Sequence, residues 1–168
     1  MPTKATLYLC LCLTILSACT QKHYEVVNTG HEGQPIPNLD LISSDSSHHI
    51  NTQDVPPGAP IILLYFRPDC PFCRSEITGI LENLSTFREA RFYLIAANAS
   101  NLLKIFTKNI QRRHISNFFI TLDYNNGFQD YFSPQAVPYT AIYRRDRTLS
   151  KTYLGTLSSK ELTKALND

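Results

Sequence analysis

The sequence predicts an α/β fold with a central mixed sheet, flanking helices and a small N-terminal β-hairpin. The first observation is an apolar run of strand length at residues 61–66, "IILLYF", which has a proline on either side. Such a run is typical of a central strand that helices cover on both faces. Strand-like and helix-like patterns then alternate along the chain, as expected of parallel strands joined by crossover helices. The length of 168 residues and the 43% hydrophobic content fit one compact domain.

The first 18 residues have the pattern of an export signal. One early cation, Lys4, is followed by the apolar stretch "LYLCLCLTIL" at residues 7–16 and by "LSAC" at residues 16–19. A membrane-spanning helix needs about 20 apolar residues, so this stretch is too short for one. "LSAC" resembles the bacterial lipobox, which implies a lipoprotein signal peptide over residues 1–18 and a lipid on Cys19. An ordinary signal peptide or a short uncleaved anchor are the alternatives.

The segment after Cys19 predicts two further parts of the chain. Residues 19–34 are polar and show no strand or helix period, so we expect a flexible tether. Residues 35–168 form the folded domain. Its first element is the small hairpin, indicated by alternating apolar positions at Leu39, Leu41 and Ile50 and by a turn around Asp45.

The elements after the central strand follow from their apolar periods. Apolar residues recur at intervals of three and four after Pro71, which predicts an amphipathic helix; they are Cys73, Ile77, Ile80, Leu81, Leu84 and Phe87. We then expect a strand at 91–97, a helix at 100–114, a strand at 117–124, a turn and a short helix at 125–132, and paired strands at 139–146 and 149–155. A last helix should follow Ser158, because Glu161 stands at capping-box spacing from it.

The charge balance argues against a nucleic-acid-binding protein. Lys and Arg number 16 against 14 Asp and Glu, which gives a net charge of only +2. Nucleic-acid-binding domains carry a clustered excess of positive charge, and no such stripe appears here.

The chemistry is expected at "FRPDCPFCRSE", residues 66–76, which holds Cys70 and Cys73. Of the five cysteines, two lie in the predicted signal and Cys19 would carry lipid, so this pair holds the remaining thiols in a compartment that permits disulfides. Cys70 would precede the helix, whose N-terminal N–H groups and dipole stabilise a thiolate, with Arg67 and Arg74 nearby. Cys70 is therefore predicted to be the nucleophile, and Cys73, one turn on, the sheltered resolving thiol.

Two other interpretations of the cysteine pair compete with a redox role. A zinc site needs four ligands, whereas His48 and His49 are adjacent and His114 stands alone. A purely structural disulfide across so short a loop would constrain the unfolded chain very little. Neither explains the pair as well as a redox role.

The chain resembles the thioredoxin fold, and most of all the membrane-tethered thioredoxins of the TlpA and ResA type. The residues that carry the resemblance are "YFRPDCPFCRSE", the strand before it, and "AVPYTAIY" at residues 136–143. The resemblance implies that Pro138 is the cis-proline beside the dithiol and that Val137 offers its backbone to a substrate strand. It also implies that Glu76 helps proton transfer, although a solvated glutamate on the helix surface is the alternative. The buried strand acid of cytoplasmic thioredoxins is replaced by Leu64.

The predicted function is an exported, membrane-anchored thiol-disulfide oxidoreductase that reduces protein disulfides in the bacterial cell envelope. Its partners would be exported protein thiols and disulfides and an upstream electron donor, and the protein should be a monomer without a cofactor or metal. A peroxiredoxin-like redoxin is a second possibility, but the loop P-x-x-x-[ST]-x-x-C is absent, since Leu63 and Phe66 stand where its proline would be. A copper chaperone of the Sco type is a third, although those proteins use C-x-x-x-C.

Overall fold

A computed structural model describes residues 23–168 of the chain. The predicted signal peptide and the predicted lipidation site Cys19 lie outside the described residues. Within residues 23–168, no helix is long and apolar enough to cross a membrane.

From residue 40 onward, the strands and helices follow the order that the sequence predicts. The strands are β1 (Tyr24–Val27), β2 (Asp40–Ser43), β3 (His49–Asn51), β4 (Ile61–Phe66), β5 (Arg91–Ala96), β6 (Phe118–Leu122), β7 (Tyr139–Tyr143) and β8 (Leu149–Gly155). The α-helices are α1 (Pro71–Glu82), α2 (Asn101–Gln111), α3 (Gly127–Phe132) and α4 (Ser159–Asn167). Short 3-10 turns occupy Thr52–Asp54 and Leu84–Phe87.

All eight of these strands form one sheet in the order β1-β8-β7-β4-β5-β6-β2-β3. The central strands β4, β5 and β6 are parallel, whereas β7 runs antiparallel to β4 and continues into antiparallel β8. The predicted hairpin, β2 and β3, joins the far edge of the same sheet through β6. This confirms the predicted mixed sheet with parallel crossovers at its centre and a small N-terminal hairpin.

Helices cover both faces of the sheet, so β4 is buried along its whole length. Because successive side chains of a strand point to opposite faces, Ile62, Leu64 and Phe66 pack under α1, α2 and α4. The alternate residues of β4 pack on the other face against α3 and the segment around the hairpin. The apolar run that predicted the central strand is therefore explained by burial on both sides.

Residues 24–27 lie in the predicted tether but form a strand, so the folded part begins before the boundary expected at residue 35. Strand β1 pairs with β8, with Tyr24 opposite Gly155 and Val27 opposite Thr152. Residues 30–36 then run beside the start of β8, where the N–H of Gly33 donates to the carbonyl of Leu149 at 2.8 Å. A four-residue strand with two exposed side chains shows no apolar period in the sequence. Its pairing partner, β8, lies at the other end of the domain, so the neighbouring residues do not reveal the pairing.

The second predicted helix is shorter than expected. It ends at Gln111, with Arg112 as its C-cap, and His114 has a positive φ of 50° that is incompatible with a continuing helix. The last helix begins where the capping box predicts: the Ser158 side chain accepts from the Glu161 N–H, and the Glu161 carboxylate accepts from the Ser158 N–H.

Candidate active site

Cys70 is the N-cap residue of α1 and lies in the short loop that follows the C-terminal end of β4. Its partly buried Sγ accepts a hydrogen bond from the Cys73 N–H at 3.2 Å. Pro71 occupies the first helical turn, where a missing N–H costs nothing. The free backbone N–H groups of a helix start favour negative charge, so this position suits a thiolate.

Cys73 lies one turn further along α1 and is completely buried in the core beside Ile77 and Ile80. Burial raises the pKa of the Cys73 thiol strongly, and the neighbouring Cys70 and Glu76 add to the increase. Both cysteines are free thiols in the structure. The predicted contrast between an accessible and a sheltered sulfur therefore agrees with the geometry.

The charged residues before the cysteines interact with each other. The Arg67 guanidinium donates to both carboxylate oxygens of Asp69, at 3.1 and 2.7 Å, and both side chains are half exposed. Arg67 is thus paired with Asp69, and its positive charge also acts on Cys70 and Cys73. Arg74 donates to the Pro68 carbonyl at 3.4 Å and stays on the rim of the loop.

Pro138 immediately precedes β7, and the Val137–Pro138 peptide bond is cis. The Cys70 thiol donates to the Val137 carbonyl at 3.8 Å. Phe72, between the two cysteines, is 62% exposed. A partly buried sulfur and a backbone carbonyl are thus in contact, close in the chain to an exposed aromatic ring.

Glu76 is buried beneath this surface, with only 2% of its area exposed. One carboxylate oxygen accepts from the Thr140 hydroxyl and the other from the Leu157 N–H, both at 3.2 Å. Thr140 lies opposite Leu64 in the β4–β7 pair. The acid beneath the dithiol therefore comes from α1, and the expectation of a solvated glutamate on the helix surface does not hold.

Burial dominates the chemistry of this carboxyl. Removal from water raises the pKa of Glu76 to about 8, against an ordinary value of 4.5, and the charge of Glu161 adds to the increase. The hydrogen bonds from Leu157 and Thr140 oppose the increase. A carboxyl with a pKa near neutrality can both accept and release a proton at physiological pH.

The sequence pointed to Cys70, Cys73, Pro138 and Glu76, and the structure brings all four to the junction of α1 and β7. It did not point to Thr140 or to the Leu157 N–H, which hold the carboxyl. The spacing of three residues between Cys73 and Glu76 was the available signal, because it places both on one helical face. The two groups that complete the arrangement are 64 and 81 residues away from Glu76 along the chain.

No cluster of three or more His, Cys, Asp or Glu residues that could hold a metal ion is found within residues 23–168. The site described above consists of a dithiol, a buried carboxyl and backbone groups.

Comparison with known proteins gives one family and many similar folds. A family model described as Redoxin matches residues 31–167. No curated protein sequence matches the chain. Similar solved structures include Mycobacterium tuberculosis dsbF, with 18% identity and a TM-score of 0.63, which covers 77% of this chain and 93% of that one.

Two further structures with similar folds are exported proteins by their descriptions. A secreted disulfide oxidoreductase of Mycobacterium tuberculosis has 19% identity and a TM-score of 0.61, with coverage of 77% of this chain and 95% of that one. The exposed lipoprotein thioredoxin Etrx1 of Streptococcus pneumoniae has 14% identity and a TM-score of 0.61, with coverage of 78% and 98%. At these identities the likeness establishes the thioredoxin-like fold, as the sequence predicted.

Proposed function

Because the chain belongs to the Redoxin family of oxidoreductases and has a thioredoxin-like fold, we propose that it is an exported, membrane-anchored enzyme that reduces protein disulfides through Cys70 and Cys73. The observation that carries the proposal is the unequal environment of the two thiols. Cys70 is partly accessible at a helix N-terminus, whereas Cys73 is fully buried one turn away. A dithiol that reduces a partner needs this division of roles.

The reaction begins at Cys70. Its thiolate attacks one sulfur of the partner disulfide, which forms a mixed disulfide and releases the partner's first thiolate. Cys73 then loses its proton and attacks the Cys70 sulfur, which forms the Cys70–Cys73 disulfide and releases the second thiolate. Two electrons pass to the partner, and the two protons of the dithiol end on the partner's thiols. An upstream thiol donor must restore the reduced state.

Glu76 serves the second step. Burial raises the pKa of the Cys73 thiol, so deprotonation in the core needs a nearby base. Glu76 lies on the same face of α1 and has a pKa of about 8, which lets it accept that proton and release it again near neutral pH. We assign Glu76 as the proton acceptor for Cys73.

The partner is held by the surface around Val137. The backbone of Val137, next to Pro138 and the Cys70 sulfur, is available to pair with an extended segment of the partner. The exposed ring of Phe72 gives an apolar contact beside it. These features favour an unfolded or extended protein segment over a small molecule as the substrate.

The cellular location is inferred from the N-terminal sequence. The apolar stretch followed by "LSAC" supports export and a lipid on Cys19. The similar fold of an exposed lipoprotein thioredoxin is in keeping with that location. The bacterial cell envelope, outside the cytoplasm, is the resulting assignment.

The test is reduction of insulin disulfides by the purified protein with dithiothreitol as the donor. We expect Cys70→Ser to be inactive and Cys73→Ser to accumulate a mixed disulfide that is visible on a non-reducing gel. Thr78→Ala, an exposed change on α1, is the matched control and should keep full activity. Full insulin reduction by both cysteine variants would refute the proposal. Peroxide consumption without insulin reduction would instead favour a peroxidase.

A further inference from the structure

A cavity that is not lined by Val137 reaches Glu76. This cavity of about 310 Å³ lies between α1, α4 and the residue before β1, and its lining includes His23, Ser75, Glu76, Leu157 and Glu161. Neither cysteine lines it, and Val137 does not. Glu76 therefore borders both the dithiol and a separate cavity.

Backbone contacts with β8 and the residue after it hold His23 in the wall of this cavity. The His23 carbonyl accepts from the Thr156 N–H at 3.0 Å, and the next residue, Tyr24, pairs with Gly155. A Cβ on Gly155 would lie 2.3 Å from the His23 carbonyl oxygen, so only glycine allows this approach. Gly155 also donates to the Pro138 carbonyl at 2.9 Å. The first described residues are thus held against the strands that carry the site.

The groups around the cavity are ionisable. The titratable side chains that face Glu76 are Cys73 on its own helix, Glu161 on α4 and His23 before β1, while β7 contributes the neutral Thr140. The His23 side chain is exposed, and the Glu161 side chain is partly exposed. An imidazole is the side chain that exchanges protons most readily with water near neutral pH.

Proton transfer from Cys73 to Glu76 needs a path by which Glu76 returns the proton to solvent. A partner protein joined to Cys70 covers the surface at Val137, whereas the cavity gives Glu76 a separate route to water for the proton taken from Cys73. We propose that the cavity is the proton exit from Glu76 to solvent between His23 and Glu161, and that Glu161 at its rim is a positioning residue for the protonation of Glu76. The inference rests on the proposed function, because the route matters only if Cys73 gives up a proton to Glu76.

The charge of Glu161 at the rim should affect Glu76. The negative charge of Glu161 disfavours ionised Glu76, so its removal should move the Glu76 titration to lower pH. A shift of roughly half a pH unit is expected for charges separated by a solvent-accessible cavity.

The experiment follows the Glu76 carboxyl directly. The reduced full-length protein, labelled with ¹³C-glutamate, is titrated by NMR as wild type, Glu161→Gln and the control Val26→Ala. A glutamine side chain can also complete a capping box, so the Glu161→Gln variant should fold. Val26 lies on β1 with 62% of its surface exposed, so its change should leave the midpoint where it is.

A shift of the Glu76 midpoint to lower pH in Glu161→Gln, with the pH profile of insulin reduction following it and Val26→Ala unchanged, would support the inference. An unchanged Glu76 midpoint in Glu161→Gln would overturn it and leave the proposed function intact. Failure of the proposed function is a separate result, because it is read from the insulin activity of the cysteine variants. The NMR titration does not depend on insulin reduction, so it tests the role of Glu161 at the rim whether or not the protein reduces insulin.

Discussion

Glu76→Gln should change how the stability of the protein depends on pH. Burial raises the pKa of Glu76 from 4.5 to about 8, so the folded protein keeps a proton on this carboxyl over a range in which the unfolded chain has released it. The folded state is therefore favoured most below pH 4.5, and this contribution is lost as the pH rises to 8. The glutamine variant has no such proton and should not show the loss.

The magnitude follows from the size of the pKa change. One pKa unit corresponds to about 1.4 kcal/mol, so wild type should lose about 3 kcal/mol relative to Glu76→Gln between about pH 4.5 and about pH 7. The hydrogen bonds from Thr140 and Leu157 are rearranged in the variant. That rearrangement changes the free energy of unfolding by the same amount at every pH. The test therefore compares how the free energy of unfolding of the two proteins depends on pH.

The assay is urea unfolding of the reduced protein, followed by circular dichroism at half-unit steps across the range between the two pKa values. Glu82→Gln, an exposed change near the end of the same helix, is the control and should give a curve parallel to wild type. Parallel curves for wild type and Glu76→Gln would show that folding does not raise the pKa of Glu76. That outcome would refute the increase in pKa that burial gives to this carboxyl.

Two further predictions concern the frame around the site. Gly155→Ala should cost more than about 2 kcal/mol in chemical unfolding, because its Cβ would collide with the His23 carbonyl. Gly58→Ala, which has a similar positive φ but open space, should cost only about 1 kcal/mol, and equal losses would contradict the close approach. Ser158→Ala should cost about 1 kcal/mol through the lost capping box, whereas the exposed Ser85→Ala should leave the unfolding midpoint unchanged.

Features that depend on neighbouring residues could be predicted from the sequence. The run at residues 61–66 is apolar because helices cover both faces of β4, and the spacing of Cys70 and Cys73 places them one turn apart on α1. Capping of α4 was visible for the same reason, since Ser158 and Glu161 are three residues apart. In each case the sequence pattern and the physical cause lie within one element.

Features that depend on distant parts of the chain could not. An acidic side chain on a helix is ordinarily solvated, and nothing near Glu76 in the sequence shows that Thr140 and Leu157 will enclose it. Strand β1 falls in the segment expected to be a flexible tether because its partner β8 is at the other end of the domain, where Thr152 donates to the Val27 carbonyl. Sequence patterns carry the periods of single elements, whereas burial and edge pairing are properties of the assembled sheet.

The central claim is that Cys70 and Cys73 act together as a dithiol reductant, and peptide mass spectrometry tests it most directly. The reduced protein is mixed with an equal amount of a protein disulfide, quenched with acid and an alkylating agent, and digested. We expect one new Cys70–Cys73 disulfide for each partner disulfide that is reduced. The mixed disulfide intermediate should join the partner to Cys70 and not to Cys73. Reduction of the partner while both cysteines remain as thiols, or a mixed disulfide formed first at Cys73, would contradict it.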